Sequence, residues 1–353
     1  MNHLAGIAIR AVATAVPTAI SRTRDYEYLS ANDRQRLQAA TGIAARRISP
    51  AEQCASDLCA VAAERVIDHL GWERDSIGAV VLITQTADQP IPATAIVLQH
   101  KLGLPKNCVA FDVNLGCSSY PFGLAILGAM MSSLGIGRAL LLMGDVSSRV
   151  CAVHDKSAWP LFGDAGSATA LELSADASPM HFDLMSDGSG KNAIIVPSGG
   201  LASRRPLTGE RIVEEAGADG ISRRSDNLVL RGTDVFSFAI TKVPPSVDRV
   251  VKAAGKTPAE VDFLILHQAN KMINDTIAKK TGFPVGKALS TLADYGNTSS
   301  ASIPLTFCAH AELFAQDRHV VVCGFGVGLS WGSTAFSLRG GAILPVVESD
   351  RVY

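Results

Sequence analysis

Three residues of this 353-residue chain, Cys117, His267 and Asn297, supply a thiol, an imidazole and a carboxamide. A thiol can take an acyl group from a thioester, and an imidazole and a carboxamide can each donate a hydrogen bond to an oxygen that is gaining negative charge. Two of the three sit in look-alike segments. Asn114-Leu115-Gly116-Cys117-Ser118-Ser119 and Asp294-Tyr295-Gly296-Asn297-Thr298-Ser299 lie 180 positions apart. At the same offset Gly116 falls on Gly296, Ser119 on Ser299, Arg138 on Arg318 and Gly144 on Gly324, with the apolar runs Ala139–Met143 and Val320–Cys323 between the last two pairs. The pattern is that of a duplicated chain, in which each half offers one polar residue at the same structural place.

Cys117 follows the apolar run Val109–Val113 through a glycine-containing turn and opens a helix. Free backbone N–H groups and the helix dipole at such a place favour the thiolate and predict a thiol pKa below the usual ~8.5. Most cysteines are small buried hydrophobes, and Cys108, Cys151, Cys308 and Cys323 read that way. A lone histidine after an apolar strand, as His267 is after Phe263–Leu266, is ordinarily structural and gains meaning only beside the other two. The string Gly324-Phe325-Gly326-Val327-Gly328-Leu329-Ser330-Trp331-Gly332-Ser333 permits tight turns with inward N–H groups, which suits an oxyanion hole. It lacks the Gly-Lys-Ser/Thr of a phosphate loop and the strand-to-helix setting of a dinucleotide fingerprint.

The elements that must position these groups repeat in the two halves. Helical Ala55–Leu70, strands Ala79–Ile83 and Val109–Val113, a helix over Ser118–Leu134 and strand Ala139–Met143 make up the first half. Helical Ser246–Ala254, strand Phe263–Leu266, a weak strand Ala288–Leu292, a helix over Ala301–Phe314 and strand His319–Cys323 make up the second. Thr334–Leu338 then corresponds to Ala168–Leu173. This alternation predicts an α/β fold divided as 1–180, an inserted cap over 181–233 carrying Arg204, Arg205, Arg211, Arg223 and Arg224, and 234–353. The helices after Cys117 and Asn297 hold hardly a charge and are expected to be buried all round. Pro244-Pro245 predicts a kink or a break in the helical stretch from Asp234.

Composition excludes several classes. Lys plus Arg number 32 against 33 Asp plus Glu, so no overall field recruits nucleic acid or an anionic membrane. Seven scattered cysteines with no C-x-x-C pair signal neither a disulfide frame nor a zinc site, and fit a reducing cytosol. No signal peptide is read in Met1–Ala15. The uncharged stretch Val113–Gly137 is broken by serines and glycines and reads as a core helix in place of a membrane span.

Taken in order, Thr41-Gly42-Ile43, Phe111-Asp112-Val113 running to Cys117, Phe162-Gly163-Asp164-Ala165-Gly166, Ser186-Asp187-Gly188-Ser189, His267-Gln268-Ala269-Asn270, Gly296-Asn297-Thr298-Ser299 and Trp331-Gly332-Ser333 resemble the β-ketoacyl-acyl-carrier-protein synthase III family of the thiolase superfamily, over essentially the whole chain. The resemblance implies a duplicated thiolase-like fold with five layers, α-β-α-β-α, and two central helices. It implies a decarboxylative Claisen condensation in the cytoplasm, with Cys117 accepting the acyl group and His267 and Asn297 assisting condensation. The backbone N–H groups of Cys117 and Val327 would hold the thioester oxygen.

It further implies no metal or redox cofactor, coenzyme A or carrier-bound phosphopantetheine thioesters as substrates, an acyl carrier protein as partner, and a homodimer in which the loop Thr86–Ala95, with Ile91, reaches into the partner's pocket. Arg36, Lys156, Gly326 and Gly328 fall at substrate-binding positions and Lys279 and Lys280 on the carrier-facing surface. The chain departs from the pattern at Arg36, Ala40, Lys156, Met272, Val327 and Ser118-Ser119-Tyr120, so the donor-handling surface differs while the catalytic trio is kept.

Transfer of the acyl group from Cys117 to an alcohol, amine or other nucleophile without decarboxylation is the nearest alternative. A papain-like hydrolase shares the order Cys, His, Asn, but Ser-Ser-Tyr after Cys117 and a duplicated α/β chain do not fit it. A purely structural role would leave three matched reactive residues without a purpose.

Overall fold

The structure, a computed structural model, describes residues 2–200, 214–217 and 220–353. It holds two large sheets of the same topology. In the first, Val109–Val113, Ala79–Ile83 and Arg138–Asp145 run parallel, then Ala165–Leu173 and Ile7–Val16 continue antiparallel. In the second, Ala288–Leu289, Phe263–Leu266 and Arg318–Gly326 run parallel, then Ser330–Leu338 and Met180–Ser186 continue antiparallel. The offset read from the sequence holds at the level of pairing. Gly144 sits opposite Gly166 in one sheet and Gly324 opposite Gly332 in the other.

The margins of the sheets are exchanged between the halves. Asn2–Leu4 pairs with Met180–Phe182 of the second sheet, whereas Ala342–Ile343 and Val347–Glu348 pair with Ile7–Val16 of the first. Met180–Ser186, assigned from sequence mostly to the inserted cap, is therefore a strand of the second sheet, and the insertion begins after it. Arg204, Arg205 and Arg211 lie outside the described residues. Ile194–Ile195 pairs with Val229–Leu230, and Ser222–Arg224 with Glu214–Ala216.

Five layers result. Ala55–Leu70 and Thr94–Lys101 cover the outer face of the first sheet, and Gly232–Ala253 with Lys271–Lys280 covers the outer face of the second. Ser119–Leu134 and Ser302–Ala309 lie between the sheets and touch both, with Tyr120 against Phe307 at 6.1 Å between ring centres. Ser302–Ala309 is buried along nearly its whole length, but Ser119–Leu134 is not buried all round: Ile126 is 38% and Leu134 65% exposed. The absence of charge therefore marks an apolar outer face there as well as a core face.

Three other expectations change. The helix expected over Ala301–Phe314 is a short turn at Ser299–Ala301, the α-helix Ser302–Ala309 and a further turn at Ala311–Phe314, and the weak strand keeps only Ala288–Leu289. Of the kink or break expected at Pro244-Pro245 the break is absent, since Gly232–Ala253 runs as one helix through both prolines. Proline at 244 removes the N–H that Ile240 would accept, and the Lys280 ammonium fills the vacancy, donating to the Ile240 carbonyl at 2.9 Å. Pro244 itself is buried among the apolar residues of the helix's inner face.

Candidate active site

Cys117, His267 and Asn297 line one cavity of about 450 Å³, and none of the other six cysteines lines it. The cavity lies where the parallel strands of both sheets end, which is where open α/β sheets present ligands. Cys117 follows the strand Val109–Val113 through Asn114-Leu115-Gly116. His267 directly follows Phe263–Leu266, fixed by its N–H to the Cys323 carbonyl at 2.8 Å. Asn297 follows the single turn Leu292–Tyr295, and its backbone is clamped on both sides: its N–H reaches the Leu161 carbonyl at 2.9 Å, and its carbonyl takes the Gly163 N–H at 3.0 Å. That clamp rests on buried Arg46, whose guanidinium donates to the carbonyls of Phe162, at 2.9 Å, and Trp159. The two halves thus share the Phe162-Gly163 segment at the site.

The strand Arg318–Gly326 passes directly beneath the nucleophile. A Cβ on Gly324 would stand 2.7 Å from the Cys117 carbonyl, and one on Gly326 would stand 2.7 Å from Cys117 Cβ and 3.0 Å from its sulfur. Only glycine permits that approach. Past it, the backbone N–H groups of Val327 and of Cys117 itself act on the Cys117 sulfur, favouring its charged form.

Burial decides the resting protonation. It pushes the Cys117 thiol up to about 12, helped by the charge of Asp145, against hydrogen bonds from Ser299 and the two backbone N–H groups. The expected low thiol pKa is overturned. The α-helix begins at Ser119, two residues on, and desolvation outweighs the donors that remain. His267 is 2% exposed, and burial carries it down to about 3, so the imidazole is neutral, with Nδ1 2.7 Å from Ser302 Oγ. Asn297 Oδ1 accepts the Ser299 N–H at 2.9 Å, which leaves the amide NH2 as the group Asn297 can offer the cavity.

Ser299 is the residue that sequence reasoning missed. Its N–H holds Asn297, its hydroxyl pulls the Cys117 thiol down and its backbone pulls the His267 imidazole up, all from a left-handed conformation with φ 49° that is unusual for serine. The signal was present as the repeat partner Ser119. Asp145 was also missed. Fully buried on the cavity wall, it accepts from Gln85 N at 2.7 Å, Thr84 Oγ1 at 3.1 Å and Ser300 N at 3.1 Å, and so staples the first half to the Asn297 loop.

Of the other expected site residues, Gly326 and Val327 line the cavity. Arg36, Lys156, Ile91, Gly328, Lys279 and Lys280 are not among the described residues that do. Arg36 is 74% exposed in its side chain and sits 3.9 Å from Asp33; Lys156 is exposed beside the lining residue Ser157; Ile91 is 82% exposed. Lys280 serves the proline-bearing helix. The insertion contributes Ile194, Ile195, Val196, Leu228 and Leu230, an apolar wall that the arginine-rich composition of the segment did not foretell.

Sequence and fold also match known proteins. Residues 111–188 match the family description 3-Oxoacyl-[acyl-carrier-protein (ACP)] synthase III, and residues 251–338 match its C-terminal counterpart. The chain is 33% identical to the Beta-ketoacyl-[acyl-carrier-protein] synthase III of Rhodopirellula baltica, with 95% of this chain and 99% of the relative covered. It is 32% identical to that of Nostoc sp., with 94% and 98% covered. A crystal structure of 3-oxoacyl-(acyl-carrier protein) synthase from Burkholderia xenovorans LB400 superposes with a TM-score of 0.90 at 34% identity, covering 99% of this chain and 98% of the other. With its doubled sheets, its central helices and this cavity, the chain belongs to the 3-oxoacyl-[acyl-carrier-protein] synthase III family, within the thiolase superfamily.

Proposed function

We propose that this protein is an enzyme that condenses an acyl thioester with a malonyl thioester to give a 3-oxoacyl product. The observation that carries the reading is the meeting of Cys117, His267 and Asn297 in one cavity, with the Gly326-Val327 turn packed against the nucleophile. In the first step the Cys117 sulfur attacks the thioester carbon and the carrier thiol leaves with the proton that Cys117 gives up. The N–H groups of Cys117 and Val327 hold the intermediate oxygen. In the second step the bond between the malonyl carboxylate and the α-carbon breaks, carbon dioxide departs, and its electron pair forms an enolate. Hydrogen bonds from His267 and the Asn297 amide stabilise that enolate.

In this reading the Ser302 hydroxyl, 2.7 Å from Nδ1, is assigned as the donor, which keeps the neutral imidazole's proton on Nε2, where it serves the enolate. The enolate carbon then attacks the acyl carbon, and Cys117 is released as thiolate and takes one proton from solvent. The apolar wall of the insertion, with Leu161, Phe162 and Val235, suits the acyl chain and the arm of the carrier. The carriers in this reading are coenzyme A and an acyl carrier protein, and no metal or redox group enters the chemistry.

The test is intact-mass measurement after offering a panel of acyl-coenzyme A and acyl-carrier thioesters. Wild type gains the acyl mass and Cys117→Ala does not. His267→Ala and Asn297→Ala still gain the acyl mass, while their release of carbon dioxide from a malonyl thioester falls by about 10²–10³. An acyl adduct without carbon dioxide release in wild type would turn the reading to acyl transfer onto an alcohol or amine.

A further inference from the structure

Two buried hydroxyls next to the site have no part in the scheme above. Ser118 is 0% and Ser330 5% exposed, and their oxygens stand 2.7 Å apart. Ser330 Oγ donates to the Val327 carbonyl, also at 2.7 Å. Ser118 then has one direction left in which to donate, and the chain runs from the Ser118 hydroxyl to the Ser330 hydroxyl to the Val327 carbonyl. The two ends of this chain belong to the two residues, Cys117 by its neighbour and Val327 directly, whose N–H groups face the nucleophilic sulfur. Elsewhere the loop is held one residue away, where Leu329 and Asp187 exchange backbone hydrogen bonds at 2.8 and 2.9 Å. Gly326 and Gly328 give the intervening backbone no side-chain anchor of its own.

We infer that Ser118 and Ser330 are positioning residues that set the separation of the two oxyanion donors, the N–H groups of Cys117 and Val327. The inference rests on the condensing reading, because it concerns the oxygen formed when Cys117 attacks a thioester. Neither hydroxyl lines the cavity among its described residues, so each acts through the backbone it holds and touches no substrate. A chain of hydroxyls polarised in one direction is stiffer than its separate links. Donors displaced by a fraction of an ångström lose much of their worth in the transition state.

The test separates reactions that build an oxyanion from one that does not. Acylation of Cys117 by 4-nitrophenyl butyrate and by butyryl-coenzyme A passes through a tetrahedral oxyanion. Alkylation by iodoacetamide displaces iodide at a saturated carbon and forms none. Ser330→Ala slows acylation by roughly ten- to a hundredfold. Ser118→Ala, which removes one hydrogen bond, slows it by about two- to tenfold. Ser330→Thr restores acylation, and all three variants alkylate within about twofold of wild type, since a small displacement weakens the soft N–H contacts to sulfur far less than the short ones an oxyanion needs. Acylation and alkylation that fall together, or acylation that does not fall, overturn the brace while leaving the condensing reading in place. A wild type that is alkylated at Cys117 yet accepts acyl groups from neither reagent has no oxyanion hole there and overturns both.

Discussion

At the scale of single residues, burial sets the chemistry more firmly than local backbone does. Cys117 and His267 shift in opposite directions for one reason: taking each from water disfavours its charged form. The rate of Cys117 alkylation by iodoacetamide therefore climbs about tenfold per pH unit between roughly pH 7 and 9, with no plateau near neutrality. A rate that levels off near pH 7 would mean that the thiolate is already favoured at rest. The same shifts act on stability. The folded Cys117 keeps its proton above the ordinary 9.0, where the unfolded chain releases it, so its contribution is full below that pH and is lost above it. For His267 the unfolded chain takes up a proton below 6.5 while the folded ring stays neutral to about 3. Its contribution is lost as the pH falls through that interval, which urea titration at pH 7 and pH 5 measures as a lower midpoint in acid.

At the scale of elements, what was legible in the sequence and what was not have separate physical causes. Ala55–Leu70, Ala79–Ile83, Val109–Val113 and Phe263–Leu266 were read to the residue, because each is a strong apolar pattern bounded by glycine or polar residues. The trio was legible because the duplication pointed to two of its members. The unbroken helix through Pro244-Pro245 was not legible, since the partner that answers the orphaned carbonyl, Lys280, lies 40 positions away. The hydrogen-bonding hub at Ser299 was likewise hidden in side-chain geometry that spacing does not carry. Lys280→Ala should lower stability by about 1 kcal/mol in chemical denaturation, the worth of one hydrogen bond to an accessible carbonyl, while Lys279→Ala stays within about 0.5 kcal/mol. Equal effects from the two lysines would remove the proposed role of Lys280.

At the scale of the whole molecule, one sheet edge stands open beside apolar side chains. Val109–Val113 is the last strand of its sheet, with one side unpaired among the described residues and Val109 38% exposed, and the helix that follows it in the chain shows Ile126 and Leu134. An open edge beside apolar side chains favours extension by another strand. We propose a homodimer built there. Sedimentation should give twice the chain mass for wild type, and Val109→Lys with Ile126→Glu should reduce it to one; a wild type that sediments as a single chain would discard the proposal. No helix among the described residues is long and apolar enough to cross a membrane.

The exchange of sheet margins bears on the order in which the molecule can be completed on the ribosome. Ile7–Val16 is synthesised more than 300 residues before residues 342–348, which among the described residues are what cover its outer side. The first sheet therefore waits, with one edge bare, until the second has been made, and the emerging chain must be shielded from sticking to its neighbours for that whole interval.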